Sequence, residues 1–158
     1  MSGELYSLDR LKLGATIAEE ERGLAMITGD IRRFIEEKKF AIVASSDSAG
    51  KPHLALGSEI QVLDDNHLVF ENWFCRTTIA NVARNPQVSV AVMAQDSEIG
   101  YQFIGTVADR YDSAILDGYV PGAEPPGEPQ ILIRFVVRVE EILAFCAGIH
   151  TDNPLSDS

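Results

Sequence analysis

Arg76-Thr77-Thr78 sets a guanidinium and two hydroxyls on three consecutive residues, directly ahead of the helically spaced Ile79, Val82 and Ala83. A helix start leaves several backbone N–H groups without intrahelical partners and carries the positive end of the helix dipole. Thr77 or Thr78 is a natural N-cap there, and Arg76 can hold two oxygens of one anion. Phosphate is the ligand that suits such a convergence of donors. On spacing alone a plainer reading stands beside it, in which the threonines only cap the helix and Arg76 is solvated.

Other reactive side chains offer less. His53 falls in a hairpin and His67 at a strand start, where histidines usually serve structure. Cys75, beside the helix start, has the position of a redox thiol, but the only other cysteine is Cys146, far along the chain. Both thiols therefore read as free, buried and inert. Two cysteines without short spacing indicate neither a disulfide framework nor a zinc site. Cys146 with His150 makes at most half a ligand set, so no metal is expected. Trp73-Phe74 could stack on a flat ligand or pack as ordinary aromatics.

The elements that must position these groups can be read from periodicity. Leu24, Ile27, Ile31, Phe34 and Ile35 recur at helical spacing, with the helix ending near Lys38-Lys39. Phe40–Ala44 is an apolar run, Asp47–Lys51 a cluster of turn formers, and His53–Leu63 a loosely alternating strand. Asp64-Asp65-Asn66 turns into a third strand, His67–Phe70. The helix after Arg76 ends at Arg84-Asn85, because Asn suits a left-handed cap and Pro86 cannot continue the turn. Val88–Val92 and Tyr101–Val107 are strands around a polar Gln95–Gly100 loop, and Gly105 marks a bulge or bend. Ser113–Tyr119 reads as a short helix and Pro121–Pro129 as an exposed loop. In the last strand Ile131, Ile133, Phe135, Val137 and Val139 form one apolar face. Six short strands split by helices, without regular βαβ alternation, favour a closed antiparallel barrel over a parallel sheet.

Composition fits one such domain. At 158 residues the chain should bury roughly two thirds of its unfolded surface. Hydrophobic residues at 46% and charged residues at 23% are ordinary for a globular protein. A net charge of −11 disfavours both nucleic acid and anionic membrane as partners. No apolar run approaches the ~20 residues of a transmembrane helix, and Met1-Ser2-Gly3-Glu4 lacks the basic start of a signal peptide, so a cytoplasmic protein is expected.

The stretch Cys75-Arg76-Thr77-Thr78-Ile79-Ala80-Asn81-Val82-Ala83-Arg84-Asn85-Pro86 resembles the phosphate-binding segment of the pyridoxamine 5'-phosphate oxidase-like FMN-binding split-barrel family. Gly50-Lys51-Pro52-His53 resembles the family's first hairpin turn, and Val62-Leu63-Asp64-Asp65 its next turn. Gly100-Tyr101-Gln102-Phe103-Ile104-Gly105 resembles the strand entering its dimer interface. The likeness runs in order from Ile31 to Ala144 and is nearest to the small stand-alone FMN-binding proteins.

The resemblance implies a mostly β, α+β fold: a six-stranded antiparallel split β-barrel with a few short helices. It implies a homodimer holding FMN in the grooves between subunits. Arg76, Thr77 and Thr78 would meet the phosphate and Asn81 would brace the loop. Ser58 and Asn72, Trp73 and Phe74 would lie along the isoalloxazine, and Gln102 would approach from the same groove. Many relatives carry Lys where this chain has Thr77, which leaves the phosphate charge to Arg76. The Trp- and Arg-rich C-terminal substrate segment of the biosynthetic oxidases is replaced by Cys146-Ala147-Gly148-Ile149-His150, so that vitamin-making activity is not expected. The expected function is an FMN-dependent oxidoreductase or electron-transfer protein of unknown substrate. The alternatives are a non-catalytic FMN-binding module, or the same barrel holding another anionic or tetrapyrrole ligand. The domain spans residues 23–145, with an N-terminal extension over 1–22 and a C-terminal tail over 146–158.

Overall fold

The computed structural model describes residues 26–96, 98–116, 130–149 and 152–155, with the side chains of 113–116 and 130–131 excepted. The N-terminal extension, the Pro121–Pro129 loop and His150 lie outside the described residues.

Helix α1 (Gly29–Lys38) starts from Thr28 and buries Ile31 and Ile35, four residues apart on one face. It stops at Lys39, which takes a left-handed conformation (φ 59°) and returns its N–H to the Ile35 carbonyl. Strands β1 (Phe40–Ser46), β2 (Pro52–Ser58), β3 (Ile60–Val62) and β4 (His67–Trp73) follow. Helix α2 (Arg76–Val82) precedes β5 (Gln87–Met93), β6 (Ile99–Leu116) and β7 (Gln130–Cys146). The strands form one sheet in the order β2-β1-β5-β6-β7-β4-β3, antiparallel at every pairing. The sheet curls into a half-barrel, bringing Gly57 of β2 against the ring of Trp73 on β4. Its concave face holds Val43, Val90, Val92, Phe103, Val137 and Val139, all fully buried. Phe70, Trp73 and Phe135 add an aromatic cluster: Phe70 stacks on Phe135 at 4.7 Å, and Trp73 meets both edge-on at 5.3 Å. Each such pair contributes about 0.5–1.5 kcal/mol beyond its buried area.

The sheet has seven strands rather than six. The expected second strand divides at Glu59, whose positive φ of 61° breaks the extended run, and its remainder pairs with β4 as β3 instead of with β1. The short helix expected from Ser113 is also corrected: residues up to Leu116 belong to β6 and pair with Gln130–Ile133 of β7. Pairing with β7, interrupted only by a register shift between Asp112 and Ala114, outweighs a weak local helical preference. Gly105 does sit at an irregularity, where the β6–β7 register shifts. At its C-terminal end, the chain folds back so that Pro154 bridges Leu143 and the Leu155 N–H donates to the Ile142 carbonyl.

Gly105 permits the close approach of β7, since an added Cβ would run into the Arg138 carbonyl oxygen. Gly105→Ala is expected to cost about 1–3 kcal/mol, the usual range for overpacking against atoms that cannot move away. The denaturation midpoint will fall accordingly, while Gly50→Ala, at a turn glycine with open space around it, is limited to the strain of its positive φ of 82°.

Candidate functional site

Where the curled sheet brings β2 toward β4, it leaves a groove of about 350 Å³. Leu56 and Ser58 stand on one wall, Asn72 and Phe74 on the other, with Phe40 and Cys75 completing the lining. The volume lies near the lower end of the ~300–1,000 Å³ typical of small-molecule sites. The two neighbouring aromatics have separate places. Trp73 is 3% exposed and belongs to the core, although its ring edge borders the groove, whereas Phe74 is 58% exposed. Gly57 is what lets the Trp73 ring lie flush in the wall, because a Cβ would collide with it. The indole Nε1 of Trp73 is buried without a hydrogen-bond partner among the described residues.

Helix α2 begins just past this groove. Its N-cap is Cys75, in extended conformation (φ −68°, ψ 105°) and without a side-chain capping bond, which corrects the expectation that Thr77 or Thr78 caps the helix. Arg76 and Thr77 occupy the first turn and are exposed. Thr78 faces inward with Asn81 and Val82, as the 3.6-residue period requires. It is 1% exposed, and its hydroxyl has no hydrogen-bond partner among the described residues. A buried hydroxyl without a partner costs about 1–3 kcal/mol, which an acceptor brought by a ligand would offset.

Two amide-to-hydroxyl bonds hold α2 against β1. Asn81 Nδ2 donates to Ser45 Oγ at 3.0 Å, and Asn85 Nδ2 donates to Ser46 Oγ at 2.9 Å. Asn81 therefore braces this segment from below. Asn85 serves as a tether and not as a left-handed cap, and the helix ends two residues sooner than expected, at Val82. The thiols also differ from expectation: Cys75 is half-buried in the groove lining and Cys146 is exposed. His53 Nε2 lies 3.3 Å from Cys75 Sγ, a pairing that sequence reasoning missed. His67, as expected, has a structural partner, the Asp64 carboxylate at 2.8 Å.

On the wall formed by β4, Asn72 Nδ2 donates to Glu59 Oε2 at 2.8 Å. The preceding residue, Glu71, accepts from Arg134 Nε at 3.0 and 3.1 Å, tying this wall to β7. That carboxylate bond raises the Arg134 pKa above its ordinary value. Gln102 is not brought to the groove within one chain. It lies on the convex face of the sheet, in the cross-strand row Leu56–Ile42–Ala91–Gln102–Leu143, and donates to Ser89 Oγ at 2.9 Å. This convex face is apolar at its β2 end, where Leu54 and Leu56 are 67% and 72% exposed. Among the described residues there is no cluster of three or more potential metal ligands, and no helix long and apolar enough to cross a membrane.

A curled antiparallel sheet with its groove beside a short helix defines the class of protein. The chain belongs to the pyridoxamine 5'-phosphate oxidase family, whose model matches residues 27–143. Solved structures agree in fold. HupZ of Group A Streptococcus is 24% identical, covers 80% of this chain and 99% of its own, and superposes with a TM-score of 0.58. A candidate pyridoxamine 5'-phosphate oxidase of Lactobacillus delbrueckii is 18% identical over 75% of this chain and 94% of its own, with a TM-score of 0.56. HutZ, a heme storage protein of Vibrio cholerae, is 11% identical over 76% and 95%, with a TM-score of 0.50. No functionally curated protein matches the chain.

Proposed function

We propose that this protein binds FMN and serves as a flavin-dependent oxidoreductase or electron-transfer protein, acting as a cytoplasmic homodimer. The observation that carries this reading is the meeting of the groove, lined by Ser58, Asn72, Trp73 and Phe74, with the start of α2. Their chemistry fits the two ends of FMN. Phe74 offers an exposed ring face for an isoalloxazine, and Ser58 and Asn72 offer hydrogen-bonding groups for its polar edge. Arg76 and the Thr77 hydroxyl, both exposed in the first turn, suit a phosphate, and Thr78 is of the same chemical type but faces inward. When bound, FMN supplies one- or two-electron transfer. The chain's part is to bind the phosphate, orient the ring against Phe74 and limit water through Leu56 and Phe40.

The dimer belongs to the same reading, in which Gln102 contributes to an FMN groove. Gln102 stands on the convex apolar face, so only a second copy packed on that face could bring it to a groove. The heme storage role of HutZ supports a second reading, in which a tetrapyrrole occupies the same barrel.

One preparation distinguishes them. Protein purified without additives is expected to carry flavin absorbance bands, or to bind added FMN one per chain. A protein that leaves added FMN free overturns the flavin reading, and one that takes heme but not FMN replaces it with the tetrapyrrole reading. Reduction of the bound flavin by a pyridine nucleotide, followed by reoxidation with a small acceptor, separates an oxidoreductase from a storage module.

A further inference from the structure

The flavin reading leaves one reactive pair unused. Cys75 Sγ and His53 Nε2 are 3.3 Å apart, and the thiol lines the groove. Both residues are half-buried, so the pair is neither sealed in the core nor loose on the surface. Its geometry is fixed through β1 from two directions. His53 pairs with Ser45 across the β1–β2 ladder, and the Ser45 hydroxyl accepts from Asn81 on α2, the helix that Cys75 caps. A nucleophile within hydrogen-bond reach of a base on a rigid frame is the arrangement that activates a thiol.

We propose that Cys75, at the groove, and His53 beside it form a thiol-modification site that accepts small disulfides. With its own proton on Nδ1, His53 accepts the thiol proton at Nε2 as Sγ attacks one sulfur of the disulfide. The S–S bond of the reagent breaks and a new bond forms between Sγ and that sulfur. The departing thiolate takes the proton from His53 and leaves as a free thiol. Cys75 is oxidised and half of the reagent is reduced. Attack on a disulfide sulfur through the thiolate is the general route of such exchange.

The product remains a mixed disulfide. The other cysteine, Cys146, pairs with Ile99 at the end of the β6–β7 ladder and is not among the residues lining the groove. None of this requires a bound flavin.

The test uses the full chain, reduced, desalted and treated with cystamine, with the rate at each cysteine read by peptide mass spectrometry. Cys75 is expected to react at least about tenfold faster than Cys146, although Cys146 is the more exposed, because His53 stands within hydrogen-bond reach of the Cys75 thiol. His53→Ala and His53→Asn should each remove that advantage while leaving the Cys146 rate unchanged in the same molecules. Added imidazole should restore the Cys75 rate in His53→Ala, a rescue that a merely structural role for His53 would not give. Equal rates at the two cysteines of the unaltered protein overturn the proposal whatever the variants do. An undiminished Cys75 rate in His53→Asn, or no response of His53→Ala to imidazole, overturns the role of His53.

Discussion

Arg76→Ala is expected to weaken FMN binding about 10- to 100-fold and to leave riboflavin binding nearly unchanged. Riboflavin has the same ring system without the phosphate, so the difference isolates the contact made by the guanidinium. Hydrogen bonds to charged groups contribute roughly 1.5–3 kcal/mol, which at 1.36 kcal/mol per tenfold gives this range. Thr77 is exposed in the same first turn and stands where many relatives carry Lys, so it offers a second way to supply the charge. Arg76→Ala combined with Thr77→Lys should therefore regain much of the lost affinity, as a point charge does what a bidentate guanidinium did. Titration calorimetry with the two ligands is the measurement. Equal weakening of FMN and riboflavin would place the phosphate elsewhere even though flavin bound.

Most of the fold was legible because a curled antiparallel sheet leaves a local record. The alternation from Ile133 to Val139 points to the concave face, and four of those positions, Ile133, Phe135, Val137 and Val139, are buried. Turn formers at Asp47–Lys51 and Asp64–Asn66 mark two tight connections, in which Asp47 accepts from the Ala49 and Lys51 N–H groups and Asp64 from that of Asn66. Two features left no such record. Glu59 carries none of the usual signs of a left-handed residue, yet its positive φ divides one expected strand into two. Residues 113–116 were assigned by pairing with β7, whose partner residues lie across a connection more than ten residues long. Long-range ladders override local preference, and sequence periodicity does not report them.

The candidate site divides in the same way. The turn at Arg76 was visible because its donors are consecutive, and the inward face of α2 follows from spacing, with Thr78, Asn81 and Val82 three and four residues apart. The cap was misplaced because Cys75 has no capping oxygen, and nothing local distinguishes a helix that starts without one. His53 and Cys75 are 22 residues apart, and their contact depends on where α2 comes to rest against β1. That depends in turn on two amide–hydroxyl bonds that no periodicity reveals. Trp73 and Phe74 show the limit most clearly: as adjacent aromatics they read alike, yet strand alternation sends one into the core and leaves the other open to the groove.

If the proposed dimer forms, Leu54→Glu is expected to convert it into a monomer at micromolar concentration and to lower FMN affinity with it. Leu54 is largely exposed in one chain and does not line the groove, so the substitution should spare both folding and the subunit's own ligand contacts. Its row continues through Ala44, Ser89 and Ile104 to Glu141, beside the row that holds Gln102. If a second copy covers this face, burying Leu54 and Leu56 contributes about 1.5–3 kcal/mol each, and a carboxylate there replaces that gain with an unpaired buried charge. Light scattering reads the dissociation and fluorescence titration reads the affinity. A mixed dimer gives the sharper test of the shared groove. Arg76→Ala chains and Gln102→Ala chains are each expected to bind FMN weakly alone. When the two are mixed, a groove built from Arg76 of one chain and Gln102 of the other becomes intact in every heterodimer, while its counterpart carries both changes. Tight binding at one site per heterodimer is the expected result, and it cannot arise if Gln102 serves its own chain, since every groove would then keep one defect. An isologous interface makes the exchange reciprocal, so one measurement tests the dimer and the origin of Gln102 together.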